Sequence, residues 1–145
     1  MADFQINFKR VYDTPEAADG ARILCDRLWP RGIKKDALQL AQWCRDACPS
    51  HTLRKSYHAA TIDFKQFARA YLDELASQPE ALLPIMVCAR QGPVTLLSAV
   101  KAFENSHLPV LKHAVLTMLE QEDREADGQA FSSPVCFGTD FNYWG

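Results

Sequence analysis

Two short apolar runs constrain the fold of this chain more than any other feature of its sequence. "ARILCDRLW" (residues 21–29) is closed by Pro30 and Gly32, and "VTLLSAV" (94–100) follows the break "QGP". Continuous apolar runs of this length are typical of strands that are covered on both faces, as they are in a parallel sheet. A buried helix is the alternative for residues 21–29, but the run is short for a helix.

The chain up to residue 121 adds a further strand and several helices. "INFKRVY" (6–12) alternates in part between apolar and polar residues, which predicts a strand, and "DTPEAADG" (13–20) predicts a loop. Apolar residues at helical spacing, with Ser50 and Thr61 as caps, predict helices over residues 34–47, 51–58, about 62–75, 79–88 and 106–121. This order of elements predicts an α/β fold: a single compact domain with a small, mostly parallel sheet flanked by helices.

The sequence changes character after residue 121, which divides the chain into two parts. Residues 1–121 form the predicted α/β domain, whereas residues 122–145 begin with the polar linker "EDREADGQ" and end in an aromatic C-terminal tail. The last fifteen residues contain five aromatic side chains: Phe131, Phe137, Phe141, Tyr143 and Trp144. A free disordered tail rarely carries so many. We therefore expect this extension to dock on its own domain or on a neighbouring chain. The second arrangement would make the protein a homodimer.

Charge, hydropathy and cysteine usage argue against several classes of protein. The net charge of −2 argues against a protein that coats nucleic acid, although it is compatible with a local basic patch. The longest apolar run, residues 81–89, is short and contains Pro84, so we expect no membrane span. The N-terminus has no signal-peptide pattern, and five cysteines, an odd number, are typical of reduced thiols in the cytoplasm.

The sequence offers little support for a metal or a cofactor. Cys44, Cys48 and His51 have a spacing that suggests zinc, but a second cysteine pair is missing and Pro49 disrupts the geometry. The glycine-rich phosphate loops and the nucleophile elbow of hydrolases do not occur in the sequence. We therefore expect packed free thiols, no metal site and no cofactor.

The first candidate site follows the apolar run of residues 21–29. Asp26, Arg27, Trp29 and Arg31 lie where a parallel sheet places its ligands, beyond the carboxyl ends of the strands. Arginine matches the geometry of a carboxylate or phosphate, and tryptophan offers an apolar or stacking wall. The alternative is structural: Asp26 pairs with an arginine, and Trp29 belongs to the core.

Two further clusters could contribute to the same site. Ser50 begins a predicted helix whose free N–H groups attract anions, and Arg54 lies one turn later. Lys101 and Ser106 follow the strand over residues 94–100, together with Ser98, Asn105 and His107. The alternatives are a solvated arginine in the first cluster and ordinary loop and capping residues in the second.

Several segments in consistent order resemble a known family. They are "KRVYD" (9–13), "DGARILCDRLWPRG" (19–32), "ACPSHTLRKSY" (47–57), "FARAYLDEL" (67–75) and "GPVTLLSAVK" (92–101). Over about residues 6–120 the chain resembles the YeaO-like family of bacterial proteins, also known as domain of unknown function 488. The resemblance implies a compact α/β domain and carries no particular activity. It favours binding roles for Arg31, Arg54 and Lys101, which match family positions, over solvated ones.

The departures from the family pattern bear on chemistry. After the strand that ends near residue 100, the family usually has Lys-Asp-x-x-His-Asn, whereas this chain has "KAFENS". Ala102, Asn105 and Ser106 therefore replace an acid, a histidine and an asparagine. If those groups perform chemistry in other members, this chain has lost that chemistry or only binds a ligand.

These observations lead to three hypotheses of different classes. The first is a pocket for an anionic small molecule, such as a nucleotide or phosphorylated metabolite; its ligand-binding residues are Arg10, Arg27, Trp29, Arg31, Ser50, Arg54, Lys101 and Ser106. The sequence leaves open whether the pocket is an enzyme site, for which Asp26 and Lys101 are the catalytic candidates. The second is a nucleic-acid or protein interaction module that uses Trp29 and the flanking basic residues. The third is a folding staple of buried arginine ion pairs.

Overall fold

Four parallel strands form the centre of the molecule in the computed structural model, which describes residues 4–126. They are β1 (Ile6–Arg10), β2 (Ala21–Leu24), β3 (Gln42–Trp43) and β4 (Val94–Ser98), and they lie in the order β1-β4-β2-β3. Each neighbouring pair is parallel, and every residue of β4 is buried. The predicted parallel sheet and the predicted burial of the strand beginning at Val94 are both confirmed.

Helices and a loop segment cover the two faces of the sheet. The helices are α1 (Lys35–Leu38), α2 (His51–His58), α3 (Phe64–Ser77), α4 (Leu83–Gln91) and α5 (His107–Ala126). Residues of α2 to α5 form the main core with Ile23 and Leu96 of the sheet. A smaller cluster on the other face joins Leu24 and Leu97 to Leu38 and the two tryptophans of residues 29–43. The α/β fold is therefore confirmed.

The predicted helix over residues 34–47 is wrong. Only α1 is helical there; it is followed by β3 and a 3₁₀ turn over Arg45–Ala47. The apolar residues of this segment serve both faces of the sheet, since Leu38 packs in the smaller cluster and Cys44 in the main core. A single helix cannot reach both faces, so the chain instead wraps around the edge of the sheet as β3.

Several element boundaries also differ from the expectation. Strand β2 ends at Leu24, and Asp63 rather than Thr61 caps α3, where its carboxylate accepts a hydrogen bond from the N–H of Gln66 (2.8 Å). Helix α5 continues to Ala126, five residues into the predicted linker. The aromatic tail lies outside the described residues, and so do its predicted docking and the homodimer. Among residues 4–126, every helix is too short or too polar to span a bilayer.

A buried ion-pair cluster fixes the start of β2. The carboxylate of Asp19 accepts hydrogen bonds from Arg22 (2.6 Å) and Lys9 (3.1 Å), and both Asp19 and Arg22 are buried. Gly20 between them has φ +64°, and a Cβ there would lie 2.1 Å from the carbonyl oxygen of Pro93. Only glycine therefore fits at this position without strain.

Candidate functional site

A cavity of about 610 Å³ opens at the carboxyl edge of the sheet. Its walls come from residues that follow three strands: Tyr12 after β1, residues 25–31 after β2 and residues 99–102 after β4. Helix α2 and the start of α5 close the remaining sides. The volume lies in the range typical of small-molecule sites, and the position is where parallel sheets bind their ligands.

Four cationic side chains of residues 4–126 line this cavity, and we call three of them, apart from Arg27, the cationic rim: Arg31, Arg54 and Lys101. They come from the loop after β2, from α2 and from the loop after β4. Arg31 and Lys101 are exposed and Arg54 is half-buried. Among the salt bridges of residues 4–126, none involves these three side chains. The structure therefore brings these three predicted ligand-binding residues to one cavity, which Arg27, Trp29 and Ser106 also line.

Asp26 joins the ends of two strands rather than holding an arginine. Its Oδ1 accepts a hydrogen bond from the hydroxyl of Ser98 (2.6 Å), and its Oδ2 accepts one from the N–H of Ala99 (2.8 Å). The titratable partner within reach in the described part of the chain is His107, whose Nε2 lies 3.6 Å from Oδ1. The alternative in which Asp26 pairs with an arginine is therefore wrong, and the carboxylate fixes the shape of the cavity wall.

Two other predicted arginines use their donors on backbone carbonyls. Arg27 donates from Nε to the carbonyl of Pro49 (2.6 Å) and from Nη2 to that of Cys48 (3.1 Å). Arg27 lines the cavity, but these hydrogen bonds fix it to the loop before α2. Arg10 donates to the carbonyl of Val100 (3.1 Å) and does not line the cavity. Arg10 therefore lies outside the cavity, and its contact with Val100 is a structural one.

Trp29 is divided between the cavity and the core. Its indole N–H donates to the carbonyl of Ile33 (2.6 Å), and its ring packs edge-on against Trp43, with centroids 5.3 Å apart. The residue also lines the cavity. Because its polar atom and one ring contact are already used, Trp29 acts as a fixed apolar wall.

The two predicted serines are already engaged in capping. Ser50 caps α2 by accepting from the N–H of Leu53 (3.1 Å), and it donates its hydroxyl to Glu74 (2.6 Å). Glu74 also accepts from the Ser50 N–H (2.8 Å), so a carboxylate of the protein occupies the helix N-terminus where we expected a ligand. Ser50 does not line the cavity. Ser106 does line it, but its hydroxyl donates to the carbonyl of Phe103 (2.8 Å).

The inner end of the cavity, which we call the inner chamber, consists of Cys25, Cys48, Phe67 and His107. The first three are buried, and the His107 side chain is 11% exposed. Sequence reasoning placed His107 in a candidate cluster but missed the other three residues of the chamber. The helical spacing of Phe67 predicts burial but not a cavity wall, and the cysteines carry no signal that distinguishes a lining thiol from a packed one.

His107 lies at the start of α5 and is held by a backbone carbonyl. The distance from its Nε2 to the carbonyl oxygen of Cys25 is 2.5 Å. A carbonyl oxygen can only accept, so Nε2 carries the proton in the neutral ring. Burial lowers the pKa of His107, and the carboxylate of Asp26 only partly opposes this effect. The ring is therefore neutral at pH 7, with Nδ1 as an acceptor.

The four described cysteines are free thiols. Burial raises the pKa of Cys25, that of Cys44 to about 11 and that of Cys48 to about 12. These thiols therefore stay protonated at pH 7 and are poor nucleophiles and metal ligands. Within residues 4–126, no three His, Cys, Asp or Glu side chains form a group that could hold a metal ion.

Comparison with known proteins places the chain in a family. The family model DUF488-N3i, described as "Inactive DUF488-N3 subclade", matches residues 5–138. The chain is 44% identical over 106 residues to "Uncharacterized protein YeaO" of Escherichia coli K12, covering 73% of this chain and 92% of the relative. It is 36% identical over 111 residues to "Uncharacterized protein Rv3073c" of Mycobacterium tuberculosis H37Rv, covering 77% and 93%. No solved structure matches the chain significantly.

Proposed function

The chain belongs to the DUF488-N3i family, the inactive DUF488-N3 subclade, and we propose that its carboxyl-edge cavity binds an anionic small molecule without converting it. The ligand class is a nucleotide or another phosphorylated compound. The observation that carries this proposal is the cationic rim, which lines one cavity without a carboxylate partner among residues 4–126. Like charges repel, so such a cluster is stabilised when an anion binds.

The sign of the charge around the cavity supports an anionic ligand. Its ionised lining residues are Arg27, Arg31, Arg54, Lys101 and Asp26. Both oxygens of the one carboxylate already accept hydrogen bonds from Ser98 and Ala99. The N-terminus of the twenty-residue helix α5 also faces this edge and adds positive potential.

The same residues offer little support for catalysis. A general base must be able to turn toward the substrate, and the Asp26 carboxylate is held in the cavity wall by one hydrogen bond to each of its oxygens. The positions that carry an acid and a histidine in the wider family hold Ala102 and Asn105 in this chain. Together with the word "inactive" in the family description, these features favour binding over turnover.

A nucleic-acid or protein interaction module is the second candidate. Exposed Leu28 and Tyr12 beside the cavity favour contact with a larger partner. The contacts of Trp29 count against such a module. The module needs a tryptophan that is free to stack on a base, whereas Ile33 and Trp43 hold Trp29 in place. The contacts of Trp29 therefore favour a small-molecule pocket over an interaction module.

Thermal melting with candidate ligands tests this proposal. The probes are phosphate, pyrophosphate, nucleoside 5′-monophosphates and a short single-stranded oligonucleotide, each at two salt concentrations. A ligand that binds only the folded protein at 100 times its Kd stabilises it by about 2.7 kcal/mol. We expect a small phosphorylated probe to raise the Tm of the wild type, and Arg54→Gln to abolish most of that rise.

Arg69→Gln is the matched control, since it removes one exposed positive charge from α3 and does not line the cavity. It should retain the full ligand-induced shift. Equal loss of the shift in Arg54→Gln and Arg69→Gln would show nonspecific charge attraction and overturn the proposal. A rise with the oligonucleotide alone that vanishes at high salt would favour the interaction module.

A further inference from the structure

The two ends of the cavity differ in chemistry. The cationic rim lies at the exposed and half-buried end, whereas Cys25 is 0%, Phe67 3% and Cys48 5% exposed. The protonated thiols and the aromatic ring of the inner chamber carry no charge. The charges of Arg27 and Arg54 act on Cys48, and that of Arg54 also acts on His107. An ionised group buried in the chamber would still lose its hydration, which is costly, whereas an anion at the exposed end keeps its hydration and gains Arg31 and Lys101. A ligand that fills both ends therefore needs an anionic group at the rim and an uncharged body inside.

His107 provides the inner chamber with a hydrogen-bond acceptor. Its Nε2–H is used by the carbonyl of Cys25, so the neutral ring presents Nδ1 as a lone pair. Among residues 4–126, Nδ1 has no hydrogen-bond partner. It is not a fully buried polar atom either, because the one such side-chain atom without a partner in this range is Nη2 of Arg22. Because His107 lines the cavity, the complement of this acceptor is an N–H or O–H donor of a ligand.

The cavity is also too large for a small inorganic anion. Its volume of about 610 Å³ lies in the range that accommodates drug-sized ligands, which is roughly 300–1,000 Å³. An anion such as phosphate would neutralise the rim but leave the apolar inner chamber filled with water. Filling that chamber with a flat, mostly apolar ring would release this water and add favourable burial.

We propose that the ligand is a phosphate ester of a heterocycle, bound with its phosphate at the cationic rim and its uncharged ring in the inner chamber, where it donates a hydrogen bond to Nδ1 of His107. A nucleoside 5′-monophosphate has this chemistry. This inference deepens the proposed function and rests on it, because it assigns an orientation and a specificity-determining residue to the same cavity.

Isothermal titration with matched probes tests the orientation. The four common nucleoside 5′-monophosphates carry both parts of the ligand, and ribose 5-phosphate and pyrophosphate carry the anion without the ring. We expect at least one nucleotide to bind about tenfold or more tightly than ribose 5-phosphate, a difference of about 1.4 kcal/mol. His107→Phe, which keeps a ring and removes the acceptor, should reduce that preference to less than about threefold, whereas Arg69→Gln should leave it unchanged.

A second readout does not depend on whether His107→Phe folds. Wild-type protein with ¹⁵N-labelled histidines should show a shift of the His107 Nδ1 signal on addition of the nucleotide but not of ribose 5-phosphate. His51 and His113, which do not line the cavity, serve as internal controls. Equal affinity for nucleotide, ribose 5-phosphate and pyrophosphate would overturn the inner-chamber assignment and leave the anion pocket standing. Failure of every phosphorylated probe to bind would overturn both.

Discussion

The arginines of this molecule fall into two groups: some form hydrogen bonds within the fold, and others line the cavity. Arg10, Arg22 and Arg27 donate to backbone carbonyls, and Arg22 also pairs with Asp19. Arg31 and Arg54 line the cavity without a carboxylate partner among residues 4–126. Arg22 forms a buried ion pair but lies outside the motif of residues 26–32 to which the staple hypothesis refers, and the binding hypothesis rests on the cationic rim.

Removal of Arg22 should destabilise the protein strongly. In Arg22→Met the buried carboxylate of Asp19 loses its closest cationic partner, and breaking a buried pair typically costs about 3–5 kcal/mol. Urea unfolding measures the free energy. Lys65→Met, an exposed change on α3, should stay within about 0.5 kcal/mol of the wild type. An Arg22→Met protein as stable as the control would show that this cluster does not hold the start of β2.

The same cluster predicts a loss of stability in acid. Burial tends to raise the pKa of Asp19, but hydrogen bonds from the Glu16 N–H, Lys9 and Arg22 outweigh it and lower this pKa below its usual range. A carboxyl whose pKa is lowered by folding stabilises the protein above its unfolded pKa, and this contribution disappears as the pH falls through the folded pKa. Below about pH 4 the urea midpoint should therefore fall.

Asp19→Asn is the variant that isolates this effect. It should be less stable than the wild type at pH 7, and the difference should shrink as the pH falls from about 4 to 2, because the wild-type carboxyl then loses its charge too. A stability difference that stays constant over this range would contradict the assignment of the acid sensitivity to Asp19.

At the scale of elements, local sequence signals predicted helix caps and buried segments better than they predicted the course of the chain between the elements. Ser50 caps α2 as expected, and Pro79 lies in a 3₁₀ turn directly before α4. The helix predicted over residues 34–47 is wrong because of tertiary packing. Leu38 and Cys44 have helical spacing but pack on opposite faces of the sheet, where the chain passes around its edge. Sequence periodicity contains no information about which face a residue will meet.

Ser50→Ala separates a capping role from a binding role. The substitution removes the cap of α2 and one hydrogen bond to Glu74, so we expect a loss of stability of about 1–2 kcal/mol in urea unfolding. Ligand affinity should change less than about twofold, because Ser50 does not line the cavity. A large loss of affinity at unchanged stability would return Ser50 to the binding site.

At the scale of the whole molecule, the sequence predicted the position of the cavity better than the contacts of the residues that line it. The polar ends of β2 and β4 predicted its edge of the sheet, and the family resemblance favoured the cationic rim. The sequence could not predict that the Asp26 carboxylate accepts hydrogen bonds from Ser98 and Ala99, or that the Glu74 carboxylate lies at the start of α2. Those contacts join residues more than twenty positions apart, and only the fold brings them together.

The most direct test of the central claim is an NMR titration of ¹⁵N-labelled full-length protein with pyrophosphate, which needs only the cationic rim. We predict saturable shifts of the side-chain Nε–H signals of Arg31 and Arg54 and of backbone amides at residues 99–102, while the Arg69 signal stays unchanged. Shifts that never saturate, or that affect Arg69 as much as Arg31 and Arg54, would contradict an anion pocket at the carboxyl edge of the sheet.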